Sequence, residues 1–194
     1  MPHEQLLRLF LAIDLPEQQR SALGRLQTRL RPIYNGGTYA EPENLPITLH
    51  FLGDTAVSRL PDLIDAFYEI EMPYLTLRFD QLIYLPGADR ARVSAVGVEG
   101  DVALLIDLHA RMGEVVKACG FRLDHRKYLP HITLVRFKFP PRVECIPEAA
   151  RATQSVLDAA PPFRAGQFTL YQSTFDAKAG RYAPLGRFPR QAIR

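Results

Sequence analysis

The chain has 194 residues and a formal net charge of +3 at pH 7. It is 47% hydrophobic and 23% charged, which is ordinary for a globular protein, and no apolar run approaches the roughly 18 residues of a membrane span. The two cysteines, Cys119 and Cys145, lack zinc-site spacing and form no disulfide framework, and the N-terminus shows no secretory signal. We therefore expect a cytoplasmic protein.

Hydrophobic periodicity predicts strands and helices along the whole chain. Strands are expected where apolar residues alternate or run together, at 8–14, 47–52, 75–79, 92–98, 132–139, 168–174 and 182–188. Helices are expected where apolar residues recur every three or four positions, at 16–30, 58–70, 102–119 and 147–157. The order β-α-β-α-β-β-α-β-α-β-β indicates an α+β fold rather than a doubly wound sheet.

Two of the predicted strands carry related sequences. The later one contains His131-Ile132-Thr133-Leu134, a His-x-Thr-x motif. The earlier one contains Pro46-Ile47-Thr48-Leu49, which matches at Ile-Thr-Leu but has proline in the place of histidine. This similarity suggests two related halves that each give one strand to a shared cleft.

The His-x-Thr pattern suits chemistry at a phosphate. Residues two apart in a strand share a face, so His131 and Thr133 are expected to project together. An imidazole transfers protons near neutral pH, and a threonine hydroxyl donates a hydrogen bond to a phosphate oxygen. Two such strands would supply a general base and a general acid without a metal. Arg136, three residues past Thr133, reaches the same phosphate only if the strand bulges.

Four segments together resemble the 2H phosphoesterase superfamily, and most closely its RNA 2′,3′-cyclic phosphodiesterases, also called 2′-5′ RNA ligases. They are RLFLAIDLP at 8–16, NLPITLHFLG at 44–53, PHITLVR at 130–136 and FTLYQS at 168–173. The resemblance implies one α+β domain over residues 1–194. It implies two pseudo-symmetric lobes, with antiparallel sheets around a central cleft and helices on the outer faces. It also implies cofactor-independent hydrolysis of RNA 2′,3′-cyclic phosphate ends to a 2′-phosphate, with 2′-5′ RNA ligation as a side activity in RNA processing.

The resemblance also implies roles for individual residues. His131, Thr133 and Thr48 match the catalytic motif positions, with His131 activating water, and Arg136 matches an arginine that follows the second motif. Pro46 stands where the family has the histidine that protonates the leaving oxygen. The substitution therefore removes the general acid and leaves the base, which is expected to impair activity.

Other side chains near the motifs are candidates for substrate binding. Tyr171 and Ser173 share a strand face, although core packing is the plainer interpretation of Tyr171. His50 is expected on the face of Thr48, but about 13 Å from position 46 at ~3.3 Å per residue, so a buried or rim position is favoured over replacement of the acid. Phe10 and Phe51 are expected in the core rather than stacked on a nucleobase.

Two functions remain open at this point. One is an active phosphodiesterase slowed by Pro46, and the other is a degenerate family member that binds nucleotide or RNA ends without cleaving them. In both cases the expected partner is RNA or a nucleotide with a 2′,3′-cyclic phosphate, without a cofactor, a metal or a membrane, and the protein is expected to be a monomer. A run of basic residues surrounds the second motif and suits either a polyanion groove or a solvated face: Arg122, Arg126, Lys127, Arg136, Lys138 and Arg142.

Overall fold

The computed structural model describes residues 4–175 and 180–189. The elements in these ranges are β1 (Leu6–Ile13), α1 (Glu17–Leu30), β2 (Thr38–Tyr39), β3 (Ile47–Ala56), α2 (Leu60–Tyr68), β4 (Leu75–Leu85), β5 (Val93–Gly100), α3 (Val102–Ala118), β6 (His131–Arg136), α4 (Cys145–Ala159), β7 (Phe163–Ala165), β8 (Phe168–Phe175) and β9 (Gly180–Phe188). All the predicted elements are present, which confirms the α+β class. Strands β2 and β7 were not predicted, because two and three residues are too short to show a periodicity.

The strands form two antiparallel sheets. The first sheet has the order β3-β1-β8-β9 and the second has the order β2-β6-β5-β4-β7. The motif strands lie in different sheets, with β3 at an edge of the first, and β3 and β6 contact each other between the sheets. The sheets are not sequential halves of the chain, because the first joins β1 and β3 to β8 and β9.

The helices bury their apolar stripes against the sheets. Helices α1 and α4 pack together, with α1 also contacting β6 and α4 contacting β4. Helix α2 contacts β9, and α3 contacts β3 and β4. The predicted stripe of α3 is buried at Leu105, Leu108, Met112 and Val116. No helix in the described ranges is long and apolar enough to cross a membrane.

Extra residues break the alternation of both motif strands, one of them in β6 and two in β3, where Leu52 between Phe51 and Gly53 is one and the other lies beside the motif. In β3, His50 pairs with Leu11 and Thr48 pairs with Ala12, so the intervening Leu49 has no partner of its own on β1.

In β6, Thr133 pairs with Ala95 and Val135 pairs with Ser94, so Leu134 is the extra residue. Paired residues of antiparallel strands project from the same face, so a bulge reverses the faces of everything beyond it. This places Thr48 and His50 on opposite faces of the first sheet. Through the pairing of Arg136 with Val93, it places Arg136 on the face of His131 and Thr133.

Candidate active site

Residues of both sheets line a cleft of about 480 Å³. The first sheet contributes Arg8, Phe10, Phe51, Ser173 and Tyr182, and β2 and β6 contribute Thr38, Tyr39 and Arg136. Phe10 pairs with Phe51, and Ala12, two residues along the same strand, pairs with Thr48. Thr48 therefore projects from the cleft face of the first sheet, and His131 and Thr133 project from the Arg136 face of the second.

His131 is held in one tautomer by the backbone. Its Nδ1 lies 2.7 Å from the carbonyl oxygen of Leu129, and the imidazole is partly exposed. A carbonyl oxygen only accepts hydrogen bonds, so Nδ1 carries the proton and Nε2 of the neutral ring is an acceptor. An imidazole fixed in this way can take a proton from a water molecule on the side of Nε2.

Pro46 lies immediately before the first residue of β3. The strand begins at Ile47, which pairs with Ile13, so the missing N–H of the proline does not interrupt the ladder. The ring is partly exposed. The first motif therefore keeps its strand geometry and the threonine at position 48, while the side chain at position 46 has no proton to give.

The sequence predicted that Arg136 reaches the phosphate only if the strand bulges, and β6 has such a bulge. Arg136 is exposed, it lines the cleft, and the extra residue at Leu134 turns it to the face of His131 and Thr133. A guanidinium offers several donors to phosphate oxygens at once and stays charged at all relevant pH values. The second motif strand thus presents a base, a hydroxyl and a cation on one face.

Tyr171 is half-buried and donates a hydrogen bond from its hydroxyl to a carboxylate oxygen of Asp14. The other oxygen of Asp14 accepts a hydrogen bond from Oγ1 of Thr169 at 2.8 Å. Burial and the nearby Asp14 carboxylate raise the pKa of Tyr171, so its hydroxyl stays protonated. Ser173 projects from the same strand and lines the cleft. Tyr171 thus fixes Asp14 beside the first motif.

Asp14 and Tyr39 were missed as site residues by the sequence reasoning. The sequence could have indicated Asp14, because it lies two residues past Ala12 and therefore on the face of Thr48. No sequence pattern marks Tyr39, because strand β2 is too short to be recognised. The Tyr39 hydroxyl is buried without a hydrogen-bond partner in the described part of the chain, and burial raises the pKa of Tyr39 to about 12. Tyr39 lines the cleft, but it pairs with Val135 and its side chain packs against the hydrophobic core, so its hydroxyl does not face a ligand in the cleft.

His50 does not share the face of Thr48, and that prediction was wrong because Leu49 adds a residue to the strand. The His50 side chain is 7% exposed, and its Nε2 lies 2.8 Å from the carbonyl oxygen of His109 in α3. Burial lowers the pKa of His50, which keeps the ring neutral. His50 therefore packs behind the sheet, away from the cleft, and we assign it no contact with substrate.

A stack of three rings connects the two motifs behind the cleft. The rings of His50 and His109 are 4.0 Å apart, and those of His109 and Tyr128 are 3.8 Å apart. The Tyr128 hydroxyl donates to the carbonyl oxygen of Thr48 at 3.1 Å. Burial and the neighbouring His50 lower the pKa of His109 to about 4. The stack ties β3 to the segment that precedes His131.

The aromatic side chains of the first sheet form a patch at the cleft. Phe10 is 3% exposed, as expected for a core residue, and it contacts Tyr171 at 5.3 Å, Tyr182 at 4.7 Å and Phe51 at 6.0 Å between ring centroids. The core position predicted for Phe51 was wrong. Its side chain is 64% exposed because it projects from an edge strand into the cleft.

The two-lobed α+β fold, with one motif strand from each sheet beside a common cleft, is that of a 2H phosphoesterase. Residues 13–94 and 96–181 match the family described as LigT like Phosphoesterase. The chain belongs to this family.

Characterised relatives are similar over most of their length. The chain is 34% identical over 145 residues to an RNA 2′,3′-cyclic phosphodiesterase of Thermus thermophilus, covering 71% of this chain and 72% of the relative. It is 30% identical over 185 residues to the RNA 2′,3′-cyclic phosphodiesterase of Escherichia coli, covering 93% and 95%. The crystal structure of E. coli LigT complexed with 3′-AMP superposes with a TM-score of 0.74 at 27% identity, covering 95% of this chain and 98% of that one.

Proposed function

We propose that this protein is an RNA 2′,3′-cyclic phosphodiesterase that hydrolyses a cyclic phosphate end to a 2′-phosphate. Relatives with this activity in their names support the substrate class. The observation that carries the proposal is the environment of His131. Its Nδ1–H is engaged by Leu129, its Nε2 is available as a base, and Thr133 and Arg136 project from the same face.

In this mechanism the cyclic phosphate lies between β3 and β6. The hydroxyls of Thr48 and Thr133 donate hydrogen bonds to its oxygens, and Arg136 balances the negative charge that grows at phosphorus. Nε2 of His131 takes a proton from water as the water oxygen attacks phosphorus. The bond from phosphorus to O3′ breaks, and O3′ leaves with a proton to become a hydroxyl.

Pro46 makes the last proton transfer slow. A proline side chain has no acidic proton, so O3′ must draw its proton from solvent or from another group. Loss of one general acid typically costs about 10²- to 10⁴-fold in rate. His50 does not replace it, because the imidazole is buried behind the sheet against α3.

We propose 2′-5′ RNA ligation as a side activity of the same site. The 5′-hydroxyl of a second RNA takes the place of water, and His131 removes its proton. The attack breaks the bond from phosphorus to O3′, O3′ takes up a proton to become a hydroxyl, and a 2′-5′ linkage remains. The reaction needs no cofactor, because the strained P–O3′ bond of the cyclic phosphate is replaced directly by the new bond from phosphorus to O5′.

The aromatic patch suits the nucleobase next to the reacting phosphate. The exposed ring of Phe51 offers a face for stacking, and stacking accepts any base. Such a site binds a nucleotide through its phosphate and its base, with little selectivity among the bases.

Pro46 itself is the observation that supports a second candidate function. Thr48, Thr133 and Arg136 remain to bind a phosphate, while one of the two proton-transfer groups is absent. In this alternative the protein binds 2′,3′-cyclic or 2′-phosphate ends of RNA and does not turn them over.

Hydrolysis of 2′,3′-cyclic AMP by the native protein distinguishes these functions. The variant His131→Ala removes the base, and His125→Ala removes an exposed histidine of the preceding segment as a matched control. We expect slow formation of 2′-AMP that is lost in His131→Ala and retained in His125→Ala. Saturable binding of 2′-AMP without any product would favour the binding function. Formation of 3′-AMP, or equal rates in all three proteins, would contradict the mechanism.

A further inference from the structure

The segment that follows β6 has the composition of a single-stranded RNA contact. Residues 138–142 read Lys-Phe-Pro-Pro-Arg, and Glu144 is the sole acidic residue between positions 136 and 144. The Phe139 side chain is 73% exposed, and Lys138 and Arg142 are exposed on either side of it. Cations beside an aromatic ring are what proteins use to hold a single strand by its phosphates and bases.

The 138–142 segment is fixed at both ends. At its start, the N–H of Phe137 donates to the carbonyl oxygen of Arg92 at 2.8 Å, and the Arg92 guanidinium donates to the carbonyl oxygen of Lys138. At its end, the carbonyl oxygen of Arg142 accepts from the N–H of Cys145, the first residue of α4, at 3.0 Å. Pro140 and Pro141 restrict the backbone between these anchors, so little conformational entropy is lost when a ligand binds.

The segment begins two residues after Arg136, which lines the cleft. Strand β6 carries His131, Thr133 and Arg136 on one face. The β5 partners of His131 and Arg136 are four residues apart, so Arg136 lies about 13 Å from His131 at ~3.3 Å per residue. Residues 138–142 lie beyond Arg136, so they are out of reach of a phosphate held at His131. A ligand that contacts both must be longer than one nucleotide.

We propose that residues 138–142 bind the RNA strand that leads to the cyclic phosphate end, with Phe139 stacking on a base and Lys138 and Arg142 contacting phosphates. This inference rests on the proposed function, because it takes RNA as the substrate. The nearest counter-charges in the sequence are Glu144 and Glu148, which lie at and within the first turn of α4. The segment therefore makes this protein prefer an oligonucleotide over a mononucleotide.

Two variants test the proposal, each with a control on the far edge of the second sheet. Phe139→Ala is matched by Tyr74→Ala, which removes an aromatic ring next to β4 that is also exposed, at 88%. The pair Lys138→Ala with Arg142→Ala is matched by Arg78→Ala with Arg164→Ala on β4 and β7. Binding of 2′-AMP and of a short single-stranded RNA ending in a 2′-phosphate is measured from about 50 to 200 mM salt.

We expect Phe139→Ala to weaken RNA binding about 5-fold or more, the usual result of removing a stacking ring. The double charge variant should lower the slope of log K against log salt by about 1.4, since each phosphate contact on a single strand contributes about 0.7. Binding of 2′-AMP and both controls should be unchanged. Unchanged RNA binding, or an equal loss for 2′-AMP, would overturn the proposal. Failure of the native protein to bind 2′-AMP would instead contradict the proposed function.

Discussion

Of the four side chains that the two motifs specify, three are present: Thr48, His131 and Thr133. The retained threonines are suited to binding phosphate oxygens, and the retained histidine to removing a proton from the nucleophile. The missing histidine would protonate the leaving oxygen. In the proposed function, the site therefore has the groups that bind a phosphate but only one of the two proton-transfer groups, so binding and slow hydrolysis are the two functions to distinguish.

Arg136 is predicted to contribute to phosphate affinity. We expect Arg136→Ala to weaken 2′-AMP binding by about 5- to 10-fold. The loss is smaller than for a buried hydrogen bond to a charged group, because the Arg136 guanidinium is exposed to solvent. Arg136→Lys should recover part of this loss, since a lysine keeps the charge but not the fork of donors.

Calorimetric titration of 2′-AMP measures these affinities. Arg78→Ala is the control, because Arg78 is an exposed arginine that pairs with Glu99 at 2.8 Å and lies on β4, which β5 separates from β6. Equal affinities for native protein and Arg136→Ala would place the phosphate away from this face of β6.

Within the motif strands, the sequence predicted which residues matter but not which way they point. An unbroken strand would put His50 with Thr48 and Arg136 opposite Thr133. The extra residues that change these two faces, Leu49 and Leu134, are both buried leucines with no adjacent glycine or proline to mark a bulge. Their position is decided by packing against strands from elsewhere in the chain, so it could not be read from the local sequence.

The ring stack between β3 and α3 makes stability depend on pH. The pKa of His109 is about 4 in the folded protein against 6.5 for a free side chain, so the unfolded chain binds a proton more readily. We expect the free energy of unfolding to be constant above about pH 7 and to fall as the pH drops from 6.5 towards 4. Because His109 is only partly buried, we expect a loss on the order of 1–2 kcal/mol.

Urea unfolding across this pH range measures the effect. The variant His109→Phe keeps a ring in the stack and cannot be protonated, so its stability should vary less between pH 6.5 and 4. His125→Ala removes an exposed histidine and should leave the native pH dependence intact. The same pH dependence in native protein and His109→Phe would show that other groups are responsible.

In the whole molecule, the two ends of the chain meet in one sheet. Strand β1 pairs with β8, so Arg8 lies beside Ser173 and Ala12 beside Thr169. Such pairing leaves no trace in the local sequence, and for this reason the elements and the α+β class were predicted while the strand order was not. The expectation of two related halves came from the motif repeat, which does not reveal which strands join each sheet.

Because neither sheet is a continuous stretch of chain, we expect the two lobes to unfold in one cooperative step. The chain has no tryptophan and eight tyrosines, of which Tyr171 and Tyr182 lie in the first sheet and Tyr39 and Tyr84 in the second. Tyrosine fluorescence reports tertiary packing, and far-ultraviolet circular dichroism reports helices and strands. Their urea transitions should coincide, whereas two separate midpoints would mean that one lobe is stable without the other.

The measurement that tests the account most directly is the kcat/KM of Pro46→His for 2′,3′-cyclic AMP, compared with that of the native protein. The variant restores a proton donor at the motif position, beside a strand whose pairing is already in place. We predict a gain of about 10²-fold or more, with 2′-AMP as the product and with loss of the gain when His131→Ala is added. No gain in Pro46→His would contradict the claim that this position limits the protein.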